Sequence, residues 1–164
     1  MSANTSGNSD GYEKYFHYLK SISTAGRLYK RYISSPILFL CARAFGRPIV
    51  EIGLGAGAGV LGAFPTRVVG LEINPFAVDY SKSIGLQASL INEDGVFPMP
   101  DGTCDACILD NVLEHIENPR QIMDEYWRVT QPRRGLIIAV PGASGFARDA
   151  DHKVFYSEND LRTC

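Results

Sequence analysis

Val50-Glu51-Ile52-Gly53-Leu54-Gly55-Ala56-Gly57-Ala58-Gly59 is the stretch on which the fold turns. Its first half extends an apolar run, Pro48 to Ile52, around one acid, as expected of a strand covered on both faces. Its second half alternates glycine with other residues. There the backbone can turn tightly and approach a ligand that a Cβ would block. A short helical segment follows, until Pro65. A strand, a glycine-rich turn and a helix open an alternating architecture.

Downstream the alternation continues. Arg67 to Glu72 reads as a second strand, Asn74-Pro75 as a helix start with an N-cap and a proline in the first turn, and Gly85 as that helix's end. Ala88 to Ile91 is a short third strand, and Cys104 to Leu109 a fourth with Asp105 at its entrance. Asn118-Pro119 repeats the helix start. Ile122, Met123, Tyr126, Trp127 and Val129 form an apolar stripe behind it, and Pro132 is expected to stop that helix. Gly135 to Val140 is a fifth strand, closed by Pro141-Gly142. The expected fold class is α/β: a Rossmann-like, doubly wound, mostly parallel sheet of about five strands.

Upstream, Tyr12 to Phe45 carries apolar residues at helical spacing, among them Tyr15, Phe16, Leu19, Leu28, Tyr29, Tyr32 and Ile33. Gly26 and Ser34-Ser35-Pro36 are the expected breaks, giving two or three helices. Pro36 to Ala42 is too short for a bilayer, which takes about 20 apolar residues, and reads as a buried helix face. Met1 to Asp10 has no basic or apolar targeting region and is rich in Ser, Asn and Gly, so a disordered tail and a cytoplasmic protein are expected. The chain thus divides into a tail (1–11), an N-terminal helical cap (12–46) and a ligand-binding domain (47–164).

With 164 residues and a net charge of −2, nothing suggests nucleic acid or a membrane as partner. Arg27, Lys30 and Arg31 are the one notable basic cluster, expected on a solvated helix face. The four cysteines form no metal pattern, and no metal is expected. Cys104 and Cys107 have C-x-x-C spacing, but on a strand residues three apart point to opposite faces, so unrelated thiols are the favoured reading and a redox pair the second.

In such a sheet ligands bind beyond the carboxyl ends of the strands. Glu72 ends the second strand, where a carboxylate accepts hydrogen bonds from both ribose hydroxyls of an adenosine. Ile73 beside it suits an adenine face or the core. Gly57-x-Gly59-x-x-Gly62 satisfies a dinucleotide pattern but starts too far past the strand end; Gly53-x-Gly55-x-Gly57 abuts it.

Asn92 to Asp105, with an acid followed by Phe97-Pro98-Met99-Pro100-Asp101, resembles a stretch of the class I S-adenosylmethionine-dependent methyltransferases, of the small-molecule type 11 kind. Asp110-Asn111-Val112-Leu113-Glu114-His115 is similar to that family's fourth-strand end, and Arg128 to Gly135 to its turn before strand five. The ordered set covers roughly residues 48 to 160.

The resemblance implies S-adenosylmethionine as cofactor, and methyl transfer to oxygen, nitrogen or carbon of a small molecule or sugar. Gly53, Gly55 and Gly57 would line the cofactor's methionine and ribose, and Glu51 would support that loop or the cofactor's amino group. Glu72 would hold the ribose, Glu93 or Asp94 the adenine amino group, and Asp110 and Asn111 would face the methionine end. His115 is expected to be structural or at the site's edge. His152, Asp149 and Asp151 are the other candidates for a general base, and His152, in a stretch resembling one near the acceptor, is the catalytic candidate and equally a structural one. Tyr15, Tyr18, Tyr29 and Tyr32 of the cap are candidate substrate contacts, with helix packing favoured.

The family's last two strands, a hairpin beside strand five, are not in the sequence. An exposed strand-five edge, Leu136 to Val140, is therefore expected, with homo-oligomerisation through it. The competing functions are a nicotinamide-dependent Rossmann oxidoreductase and a non-catalytic S-adenosylmethionine-binding module.

Overall fold

The computed structural model describes residues 5–21 and 23–163. Five strands form one parallel sheet in the order β3-β2-β1-β4-β5. They are β1 (Ile49–Ile52), β2 (Val68–Glu72), β3 (Ala88–Leu90), β4 (Cys104–Asp110) and β5 (Thr130–Ala139). The chain winds outward from β1 to β3, then returns to β1's other side with β4. The strand order therefore reverses between β1 and β4, and a crevice opens at their carboxyl ends.

Helices cover both faces. Phe39 and Ala42 of α3 (Ser35–Arg43), Val60 and Leu61 of α4 (Val60–Ala63) and Val78 of α5 (Pro75–Ser83) pack with Ile49 and Ile108. On the other face Tyr126 and Val129 of α6 (Arg120–Val129) pack with Val50, Ile52 and Leu109. α5 begins as expected: the Asn74 side chain accepts from the Phe76 and Ala77 amides. It ends as expected too, with Gly85 at positive φ while the Gly85 and Leu86 amides return to Lys82 and Ser81.

Four expectations are corrected. Part of the predicted tail, Met1 to Asn4, lies outside the described residues; from Thr5 the chain is helical, as α1 (Thr5–Lys20). α1 is held by the Asn74 side-chain amide, which donates to the Tyr12 carbonyl, and by Phe16 packing on Tyr80. The helix also does not break at Gly26 or Pro36. α2 (Thr24–Tyr29) passes through a π-turn (Lys30–Ser34) directly into α3. The Ser35 amide bonds five residues back, to the Lys30 carbonyl. That wider turn makes room for Pro36, whose ring would meet a carbonyl in a regular helix.

α6 ends at Val129, before Pro132, and β5 starts at Thr130, because Thr130 already pairs with Cys104. Finally, Cys104 and Cys107 share a face, both fully buried with sulfurs 3.4 Å apart. A bulge is responsible: the Asp105 and Ala106 amides both donate to the Pro48 carbonyl, and the register against β5 shifts there. One extra residue inverts the alternation.

Candidate functional site

A cavity of about 1060 Å³ lies over the carboxyl ends of β1, β2 and β4 and beneath α1 and α2. It is roomier than one drug-sized ligand requires. The glycine-rich turn forms its floor, with Gly53, Gly55 and Gly57 all at positive φ. A Cβ on Gly53 would sit 2.5 Å from Val112 Cγ2. The apparent dinucleotide pattern has a packing cause instead. A Cβ on Gly59 would meet the Glu51 carboxylate at 2.2 Å, and one on Gly62 the Gly57 carbonyl at 2.0 Å.

Glu51 is only 2% exposed and supports the loop from below. Its two oxygens accept from the Val60 and Leu61 amides at 2.9 and 2.6 Å, capping α4. Burial pushes its carboxyl up to about 7, against the pull of those two amides. Glu72 is at the edge of the floor. One oxygen accepts from the Gly55 amide at 2.8 Å; the other accepts from Ile73 and Asn74. Burial raises its carboxyl too, and the amides oppose the shift. Ile73 lines the cavity with 52% of its surface open, free to pack on a flat ligand.

Asp110 and Asn111 also line the cavity. Asn111 stands at φ 55, in the left-handed region that asparagine tolerates better than other residues with a Cβ. Asp110 accepts from the Asn111 side chain and lies 3.2 Å from Lys30 Nζ. Lys30 was expected on a solvated face with Arg27 and Arg31. Arg27 and Arg31 are exposed as expected and Lys30 is half-buried, and all three also border the cavity. Arg31 donates to the Gly62 carbonyl, tying α2's continuation to the loop.

Glu93 and Asp94 are both exposed and outside the cavity lining. The Asp94 carboxylate accepts from the Val96 amide instead. Ile91 and Ile122 take the wall next to Ile73.

The far end of the cavity is polar and aromatic. Tyr15, Tyr18, His115, Asp149, Asp151 and His152 line it. Tyr29 and Tyr32 are exposed and do not. The Tyr18 hydroxyl donates to Asp149 at 2.9 Å, and Tyr15 meets His115 edge-on. Burial pushes the Tyr15 phenol up, with Asp151 and Asp149 adding to it. His152 Nδ1 is 2.9 Å from the Phe146 carbonyl, and the two rings stack. His115 Nδ1 is 3.1 Å from Asp151 Oδ2.

Glu114 was absent from the sequence candidates. It is 1% exposed, and neither carboxylate oxygen has a hydrogen-bond partner. Its Oε1 lies 3.9 Å from His152 Nε2. Its backbone carbonyl accepts the Lys153 and Val154 amides, which brings the His152 loop onto it. Nothing in the Leu113-Glu114-His115 motif distinguishes a buried glutamate from a solvated one, since the covering loop comes from residues 149–154.

Among the described residues no helix is long and apolar enough to cross a membrane. The known proteins it resembles agree with this geometry. The chain is 25% identical over 115 residues to a probable S-adenosylmethionine-dependent methyltransferase of Mycolicibacterium smegmatis, a match covering 68% of this chain and 45% of that one. It is 31% identical over 91 residues to an uncharacterized methyltransferase of Mycobacterium sp. strain KMS, covering 53% and 36%. The chain thus spans under half the length of these relatives.

A solved SAM-dependent methyltransferase from Archaeoglobus fulgidus superposes with a TM-score of 0.65 at 17% identity, over 81% of this chain and 66% of that one. A Thermotoga maritima SAM-dependent methyltransferase, described as a possible histamine N-methyltransferase, gives 0.64 at 16% identity, over 94% and 73%. Those two show the shared fold. Residues 50–138, more than half the chain, match the family model described as "Methyltransferase domain". The chain belongs to the class I S-adenosylmethionine-dependent methyltransferase family.

Proposed function

We propose that this protein binds S-adenosylmethionine over the β1 and β2 strand ends and transfers its methyl group to an oxygen or nitrogen of a small polar acceptor. The observation that carries this reading is the pairing of Glu72 with the Gly53–Gly57 turn, joined in one cavity to the polar end around His152. The bound cofactor would supply a methyl group on a sulfonium, ready for in-line displacement.

Glu72, already aimed at the turn by three amides, is suited to accept the ribose hydroxyls. Ile73 and Ile91 suit the adenine, in place of Glu93 or Asp94. Asp110 and Lys30 supply both charges needed by an amino acid moiety. Tyr15 and Tyr18 would wall the acceptor, and His152 would ready its nucleophile. Holding the two reactants in near-attack geometry supplies most of the acceleration.

The nicotinamide reading loses its main support. A pyrophosphate would need the amides at the helix start after the glycines. Glu51 already occupies those of Val60 and Leu61.

Calorimetric titration with S-adenosylhomocysteine, NAD and NADP tests the proposal. Heat is expected with the first alone, and Glu72→Ala should weaken it at least about tenfold. Heat with a nicotinamide cofactor and none with S-adenosylhomocysteine would overturn it.

A further inference from the structure

The Glu114 carboxylate is buried with no hydrogen bond to either oxygen and only His152 Nε2, at 3.9 Å, near it, and such groups are costly unless closely paired or bound to a metal. Its surroundings are those of a ligand set. One donor atom from each of Glu114, His115 and His152 lies within 4.8 Å of the others. We propose that these three residues hold a divalent transition-metal ion of the zinc or iron(II) class at the acceptor end of the cavity.

The chemistry of the donors selects that class. Two imidazoles and one carboxylate suit zinc and iron(II), whereas magnesium and calcium prefer oxygen alone. Donors around an ion bound at about 2.1 Å in tetrahedral geometry are about 3.4 Å apart. Glu114 Oε1 and His152 Nε2, at 3.9 Å, need close by only a small side-chain rotation.

Second, the histidines are already oriented. His152 Nδ1 faces the Phe146 carbonyl, which leaves Nε2 as the ligating nitrogen. His115 is held by the Asp151 carboxylate. Backbone carbonyls and carboxylates on the far nitrogen are what metal-bound histidines require. Third, His115 and His152 line the cavity, so an ion on three protein donors keeps an open position toward it.

The consequence for catalysis rests on the methyl-transfer reading above. His152 would then act as a ligand: with Glu114 and His115 it would hold an ion able to bind and acidify the acceptor's oxygen or nitrogen, and the Asp149 carboxylate on the same wall would take the proton released. The site itself stands on the geometry of Glu114, His115 and His152.

The test is titration of tag-free, chelator-stripped protein with Co2+, a visible-absorbing substitute for Zn2+. S-adenosylhomocysteine binding is measured on the same samples. Ligand-field absorption saturating at equimolar Co2+ is expected, displaced by Zn2+. Glu114→Gln should abolish it. Asp151→Asn, at an exposed position that does not endanger folding, should weaken Co2+ about tenfold while S-adenosylhomocysteine still binds.

No visible band, or Co2+ affinity unchanged in the Asp151→Asn and Glu114→Gln proteins, would overturn the site. Should Glu114→Gln fail to fold, Asp151→Asn decides alone. Metal binding without S-adenosylhomocysteine binding would sink the methyl-transfer reading and leave the metal site standing. The reverse result would remove the metal site only.

Discussion

Gly53 and Glu51 show how single residues set the site. Gly53 is left-handed and closely approached by Val112, so Gly53→Ala incurs both backbone strain and a clash. A loss of about 1–3 kcal/mol is expected in chemical denaturation, with weakened S-adenosylhomocysteine binding. Unchanged stability would show that the turn relaxes freely. Glu51 makes a prediction about pH. Its folded pKa is raised from 4.5 to about 7, so the folded state keeps a proton that the unfolded chain has lost. Stability from this residue is therefore greatest below pH 4.5 and declines as pH rises toward 7. The decline is on the order of 3 kcal/mol. The melting temperature of the wild type minus that of Glu51→Gln should fall across this window, and a constant difference would refute the assignment.

Among the elements, the helix start at Asn74 links sheet and cap. Its side chain closes α5 and reaches the Tyr12 carbonyl on α1. Asn74→Ala should cost about 1–2 kcal/mol in thermal melting and expose α1 to proteolysis first; loss of stability without earlier cleavage of α1 would separate the two roles. The Asn-Pro signature of this element was legible in the sequence, as were all five strands, because local capping and apolar runs determine them.

The π-turn and the β4 bulge were not legible. The π-turn lets a helix run on through Pro36, a residue that reads as a break, and the bulge arises from a contact distant in sequence, the meeting of Pro48 with Asp105 and Ala106. The same limit applied to the site. Glu51, Glu72 and the glycines sit beside their strands and could be read from position. That Lys30 borders the cavity and that Glu114 is buried under the loop of residues 149–154 depend on which segments meet in the fold, and the sequence pattern does not encode that.

In the whole molecule, the two ends of the sheet have separate tasks. The carboxyl ends hold the cavity, and its cover, α1, is fastened on both sides, to Asn74 and through Tyr18 to Asp149. At the opposite end, the bulge leaves Asp105 facing the chain that enters β1. Asp105 accepts from the Arg47 amide at 2.8 Å and pairs with Arg134 of β5 at 3.3 Å, and it fills the space where a Cβ on Gly46 would stand. The extra residue in β4 is thus a fastener across three segments, remote from every cavity-lining group. Asp105→Asn should lower the melting temperature by several degrees and leave S-adenosylhomocysteine affinity unchanged, whereas a change in affinity would show the ends to be coupled. A division of this kind lets a lineage alter what the cavity accepts without renegotiating what holds the sheet closed.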